Sequence, residues 1–194
     1  FVHKNNPVPA LSLAELRRAF GRDPDAAERW GALRPELASD WRAKPIVRFG
    51  LERGRGAFEL LRDVVLEGSE FAANIAIEPV STSVVQGVGT QPGGIGYASV
   101  FFRTARTRLL AVEHKGERVE PTADNALSGK YPLARFLYVI VNKKPDAPLD
   151  ALQRQFLFFV LSRDGQEVIA RQGFFPLDAA VSNEGLAQIG IAAR

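Results

Sequence analysis

Residues 46–62 read IVRFGLERGRGAFELLR. The segment opens as a short apolar strand at Ile46-Val47 and passes through a loop punctuated by Gly50, Gly54 and Gly56. It then enters an amphipathic helix carrying Phe58, Leu60 and Leu61. Glycines in such a turn let backbone N–H groups approach a ligand closely. The first N–H groups of the following helix have no partner within it. Together they form a candidate anion site. Arg53 and Arg55 fall inside the turn, at the helix end where a cation is unfavourable. An anion bound at the same place accounts for two cations there. The plainer alternative is a strand-to-helix turn with solvated arginines.

Composition narrows the function classes. The 194 residues suffice for one large domain or two small lobes. At 46% hydrophobic and 24% charged, the chain has the make-up of an ordinary soluble globular protein. A net charge of +3, from 25 basic and 22 acidic residues, falls short of a nucleic-acid footprint with clustered Lys and Arg. It suits a protein that meets small anions. There is no Cys, so disulfides and thiolate chemistry are out. His3 and His114 are far apart and in no metal-ligand spacing, so neither a zinc site nor another cofactor is expected. No run of about 20 apolar residues exists to span a membrane. The chain has no Met and starts at Phe1 in what reads as mid-strand, so a processed or truncated piece is expected. A signal peptide, had there been one, is not visible.

Outward from the central segment, Phe1-Val2 reads as a strand end closed by the turn Asn5-Asn6-Pro7. Ser12 and Glu15 form a capping box for a helix through Phe20. Residues 21–45 are loop-rich, and Trp30 and Trp41 read as satellite core. The central helix is expected to end near Gly68. Ile75, Ile77 and Val80 read as a strand, followed by a helix start capped by Ser81 or Ser83 and ended by Gly87, Gly89, Pro92 and Gly93. The G-x-G here lacks the third glycine of a dinucleotide fingerprint. IGYASVFF (95–102) reads as a buried strand, Leu109–Val112 as another, and Pro121-Thr122 as the start of a short helix through Ser128. FLYVIV (136–141), all apolar and rich in β-branched and aromatic types, is the clearest strand. Pro145 and Pro148 mark a connection. Leu149–Leu161 reads as an apolar helix with Leu152, Phe156, Phe159 and Val160 at helical spacing; Ser162 caps a further helix to about Arg171, and a last helix starts near Leu177. Alternating strands and helices argue for an α/β fold.

Four segments carry a resemblance. VHKNNPV with LSLAELRRAF is similar to the crossing strand, Asn-Pro turn and first second-lobe helix of the substrate-binding proteins of phosphate ABC transporters, which have the type II periplasmic-binding-protein fold. PGGIGYASV resembles that family's returning glycine-tyrosine strand. PTADNALSGKYPLARFLYVIVNK and PLDALQRQFLFFVLSRDGQEVIARQGFFPL resemble its closing segments. In order and spacing these cover nearly the whole chain. The resemblance implies a lobe with a mixed sheet flanked by helices, one of two lobes that close on a ligand by a hinge. Residues 1–194 would be a single binding-protein-like domain, mostly the second lobe plus the return segment, with most of the first lobe lacking. In the family, phosphate is held by hydroxyls, helix-start N–H groups and an arginine, and an acidic group selects a protonated oxyanion.

The family's second-lobe loop reads roughly Arg, two residues, Gly-Ser-Gly-Thr. Aligned here, Arg55 stands at the Ser position, Ala57 at the Thr and Leu51 at the Arg, unless Arg48 or Arg53 replaces the last. Guanidinium groups, which hold oxyanions bidentately, replace two hydroxyl donors. Phosphate in another geometry, a different or larger anion, and loss of binding all stay open. The candidate ligands are Arg53 and Arg55, with the backbone N–H groups of Gly54, Gly56, Ala57 and their neighbours to Phe58. Glu52 is a candidate acceptor for a proton of the anion, against a surface ion pair. Ser81 and Ser83 are caps first and ligands second. Arg135 is expected to anchor local structure, Tyr97 and Tyr131 to pack, and Lys143 and Lys144 to be solvated. A Ser–His114–Asp triad lacks the nucleophile elbow. The expected function is therefore an extracytoplasmic, periplasmic solute-binding protein or lobe for phosphate or a related oxyanion, not an enzyme, delivering to an ABC permease. The alternative is a divergent sensing or interaction module. An effector domain of a transcription regulator stands further off. An exposed former lobe–lobe surface would favour self-association.

Overall fold

Strands and helices alternate one by one only between residues 47 and 96; two strands and then three helices precede that stretch, and three strands and then four helices follow it among the described residues. The computed structural model describes residues 1–142, 144 and 147–191, and the chain divides into two units, Phe1–Ala134 and Arg135–Arg194. The first unit runs β1 (Val2–His3), β2 (Ala10–Ser12), α1 (Leu13–Phe20), α2 (Trp30–Leu33), α3 (Ser39–Arg42), β3 (Val47–Leu51), α4 (Gly56–Val64), β4 (Ile75–Glu78), α5 (Ser81–Thr90) and β5 (Gly94–Gly96). A 3-10 turn at Val100–Phe102 follows, then β6 (Thr107–Arg108), β7 (Ala111–His114), β8 (Glu117–Val119) and α6 (Ala123–Leu127). The second unit holds α7 (Ala151–Leu161), α8 (Arg163–Arg171) and α9 (Ala179–Gln188).

The main sheet is mixed, in the order β4-β3-β5-β1-β6. β3 is parallel to both neighbours, with Arg48 opposite Ile75, Leu51 opposite Glu78 and Val47 opposite Gly94. Parallel neighbours need crossover connections, and α4 and α5 supply them. Residues of β3 alternate between two covered faces. Phe49 lies against Gly87 of α5, where any Cβ would collide with its ring. Gly50 faces the other way, onto the Tyr97 ring, and Arg48 reaches the carbonyl of Ala19 in α1. A smaller sheet, β2-β7-β8, pairs Leu11 with Val112 and Val112 with Val119.

One apolar core unites the first unit. Val2, Leu11, Phe20, Trp30, Leu66, Val84, Val88 and Ile95 are all but inaccessible within it. The capping box of α1 is present on both sides: Glu15 N–H donates to Ser12 Oγ (3.2 Å) and Ser12 N–H donates to Glu15 Oε2 (2.8 Å). Thr122 caps α6, whose bounds match the expected short helix. In the second unit Asp150, Ser162 and Asp178 cap α7, α8 and α9 through their side chains. Gln166 ties that unit together: its amide donates to the Val160 carbonyl (2.7 Å) and its oxygen accepts from Leu177 N–H (2.7 Å).

Several expectations are corrected. Trp30 belongs to the main core, not a satellite; its indole N–H donates to the Gly93 carbonyl, while Trp41 packs at the edge under the Lys44 ammonium. Gly87 and Gly89 lie inside α5 and do not end it, because the helix must approach β3 and Arg106 closely. Of residues 95–102 only Ile95 and Gly96 are in a strand, the three-residue Gly94–Gly96 paired with Val47–Phe49 of β3; Phe101 and Phe102 face solvent. The strand foreseen at Leu109–Val112 starts two residues later and joins the other sheet. The clearest expected strand, FLYVIV, is not one. Residues 136–141 belong to no strand or helix, and Ile140 is 94% exposed. Propensity describes a fit to a pleated, half-buried surface, so it makes no strand without a neighbour. Lys143 and Pro145 lie outside the described residues.

Candidate functional site

The carboxyl ends of β3 and β4 lie level, because Leu51 pairs with Glu78. Each strand leads within a few residues into a helix, β3 through residues 52–55 into α4 and β4 through Pro79-Val80 into α5. α5 covers the Phe49 face of the sheet. α4 lies on the opposite face, where its Ala57, Leu60 and Leu61 share an apolar groove with Phe20 and Tyr97. Two adjacent parallel strands whose following helices depart to opposite faces define a switch point. Ligands of open α/β sheets bind outside the strand ends there. The sequence candidates fall at these strand ends: Glu52, Arg53, Gly54 and Arg55 on the turn after β3, Gly56 and Ala57 in the first turn of α4, and Ser81 and Ser83 in the first turn of α5.

The glycine turn is built by its own bonds. Gly54 has φ +86°, a left-handed conformation that glycine adopts without strain. Its N–H donates to Glu59 Oε1 (3.0 Å), one turn inside α4. Arg55 N–H donates to the Glu52 carbonyl (3.2 Å), and the first full helical bond runs from Glu59 N–H to the Arg55 carbonyl (3.1 Å). Arg55 is therefore the N-cap, with no side chain capping the helix. The N–H groups of Gly56, Ala57 and Phe58 precede the first helical acceptor and remain as donors.

The side chains divide into three kinds. Arg53 is exposed and its guanidinium has no partner among the described residues. Arg55 and Glu52 are both about half exposed and stand 3.9 Å apart, a loose pair worth little in water. Arg48, the alternative arginine for the site, is 1% exposed and enclosed. It donates to the carbonyls of Ala19 and Ala27 (both 2.5 Å), to Asn74 Oδ1 (2.9 Å) and to Glu28. It is a buried clasp between β3 and the α1–α2 connection.

Ser81 and Ser83 do not cap α5. The N-cap is Val80, without a side-chain bond, and the serines occupy the first and third helical positions. Their hydroxyls make no hydrogen bond among the described residues, which leaves them free for another acceptor. Tyr97 packs as expected. Its hydroxyl donates to the Leu51 carbonyl (3.1 Å), and burial pushes its pKa up to about 12. Tyr131 is held still higher by burial, with the Glu120 charge acting in the same direction. Residue types alone did not reveal Glu59. Its signal was an acidic residue in the first turn after a glycine loop. No group of three or more His, Cys, Asp or Glu fit to hold a metal occurs among the described residues, and no helix there is long and apolar enough to cross a membrane.

A switch point of this kind is where open α/β sheets hold ligands. The comparisons name the chain's family: residues 1–164 match the PBP superfamily domain, and the chain belongs to that superfamily. It is 38% identical over 199 residues to the phosphate-binding protein PstS of Pseudomonas aeruginosa, covering 98% of this chain and 61% of that protein. The chain thus spans about three-fifths of the length of that relative. Among solved structures, a possible phosphate binding protein from Planctomyces limnophilus superposes with a TM-score of 0.71 at 19% identity, over 97% of this chain and 68% of that one. A putative phosphate ABC transporter substrate-binding protein with bound phosphate, from Clostridium perfringens, gives 0.66 at 24% identity, over 91% and 67%. Both likenesses establish the fold.

Proposed function

We propose that this chain is the phosphate-holding lobe of an extracytoplasmic, periplasmic solute-binding protein that delivers phosphate, or a closely related oxyanion, to an ABC permease. The carrying observation is the pair of level, parallel strand ends of β3 and β4, each followed within a few residues by a helix start without a side-chain cap, with the unpaired Arg53 guanidinium on the first connection. Its donors are the N–H groups of Gly56, Ala57 and Phe58, the guanidinium groups of Arg53 and Arg55, and the hydroxyls of Ser81 and Ser83. Gly54 contributes the turn's shape, and Glu52 is placed to accept a proton of the anion. Helix starts favour negative charge, and guanidinium gives charge-assisted bonds to oxyanions. The relation to the Pseudomonas protein supports phosphate over other anions. The lobe binds and releases; nothing in this reading calls for a chemical step.

Inorganic phosphate titrated calorimetrically at low salt tests the reading. Saturable heat is expected, weaker than for a two-lobed clamp because one lobe supplies only part of the shell. Absence of heat with both phosphate and sulfate overturns it in favour of a sensing or interaction module. The exposed apolar residues 136–140 support self-association as a second partnership; the sedimentation coefficient of a monomer at every concentration overturns that part.

A further inference from the structure

We infer that Glu59 is a positioning residue for the anion site: its carboxylate latches the glycine turn and so aims the free N–H groups of α4 at the anion. The inference rests on the phosphate reading above. Glu59 lies in the first turn of α4 and is pinned on two sides. Oε1 accepts the Gly54 N–H at 3.0 Å, and Oε2 meets the Arg62 guanidinium at 2.5 Å. Arg62 is itself held by Asp63 Oδ1 at 2.7 Å, which fixes the direction from which it grips Glu59. The chain from Asp63 through Arg62 and Glu59 to Gly54 therefore ties the turn to the body of its own helix.

The tie matters because of where it attaches. Gly54 is the left-handed residue of the turn, and a glycine has more backbone freedom to lose than any other residue. A loose turn would have to be ordered at the moment of binding, at the expense of affinity. With the Gly54 N–H spent on Glu59 and the Arg55 N–H on the Glu52 carbonyl, the next three N–H groups, Gly56 to Phe58, start the helix in one orientation. The latch gives up one potential donor and fixes three. Charge opposes it: a carboxylate near a bound anion repels it. The Arg62 contact offsets that charge from behind, leaving the acceptor function of Oε1 intact.

Acceptor and charge are separated by substitution. Glu59→Gln keeps an oxygen for the Gly54 N–H and discards the charge; Glu59→Ala discards both. Inorganic phosphate is titrated by calorimetry into the wild-type chain and each variant, with amide hydrogen exchange of residues 53–58 followed without phosphate. The expected result is at least tenfold weaker phosphate binding and faster exchange at Gly54 for Glu59→Ala, with Glu59→Gln binding within about threefold of wild type or tighter. The rescue by Gln is the readout that general loss of helix stability would not produce. Wild type that binds phosphate while Glu59→Ala binds as well or better overturns the latch and leaves the phosphate reading standing. Wild type that gives no heat overturns the phosphate reading and the latch with it.

Discussion

Arg48 and Arg53 lie five residues apart and are opposite in character. Arg48 is enclosed, and two of its bonds satisfy carbonyls of Ala19 and Ala27 that water does not reach through it. A buried acceptor left without its donor costs about 1–3 kcal/mol. Arg48→Met should therefore lower unfolding free energy by roughly 2–6 kcal/mol, two such acceptors' worth, in denaturant titration, while the folded fraction binds phosphate unchanged. A loss of affinity without loss of stability would return Arg48 to the list of ligands. Arg53 and Arg55 are solvated, and surface substitutions away from such networks stay within about 0.5 kcal/mol. The double variant Arg53→Ala/Arg55→Ala should keep its stability and weaken phosphate at least tenfold by calorimetry. Unchanged affinity would place the site elsewhere. Sequence pattern did not separate these arginines. Which guanidinium is enclosed depends on the Ala19 and Ala27 carbonyls, twenty and more residues distant in the chain.

At the scale of the element, what a few neighbouring residues decide was legible. The Ser12–Glu15 box, the Thr122 cap and the Ser162 cap are where residue types put them, because each is closed within four residues. Ser81 looked like the same signal and is not a cap, since Val80 takes the position ahead of it. The two sites make a paired prediction: Ser12→Ala should cost about 1 kcal/mol, as N-cap losses do, and Ser81→Ala less than about 0.5 kcal/mol, both by chemical denaturation. Equal losses would show that Ser81 caps in solution. The fit of α5 to its sheet was not legible either, because it depends on Phe49. Gly87→Ala places a methyl in that ring and should cost about 1–3 kcal/mol, the range for overpacking. FLYVIV failed for the complementary reason. A strand's hydrogen bonds belong to its neighbour, and nothing in the six residues states whether a neighbour is present.

Across the first unit, the sequence showed the candidate site as a set of positions, and the topology made it a place. Glu52 to Ala57 and Ser81 to Ser83 are some 25 residues apart in the chain, and the parallel register of β3 and β4, with their ends level, sets both segments at the same end of the sheet. The same packing converges on Tyr97, which joins the helix face to the sheet. Its ring meets Phe20 edge-on at 5.6 Å and Phe71 at 5.8 Å, its hydroxyl bonds the last residue of β3, and it is 9% exposed. Burial disfavours the phenolate and pushes its pKa from 10.0 up to about 12. For an acid whose folded pKa is raised, the stabilisation is complete below the unfolded value and disappears as pH rises through the folded one. The melting temperature should thus hold up to about pH 10 and fall between pH 10 and about 12. Tyr131, shifted the same way by burial and by Glu120, adds to the fall and prolongs it. Tyr97→Phe removes the titrating group but keeps the ring, so its melting temperature should decline less steeply than wild type over that window in scans at closely spaced pH. Parallel curves for the two proteins would mean that the phenol ionises without opening the core it sits in.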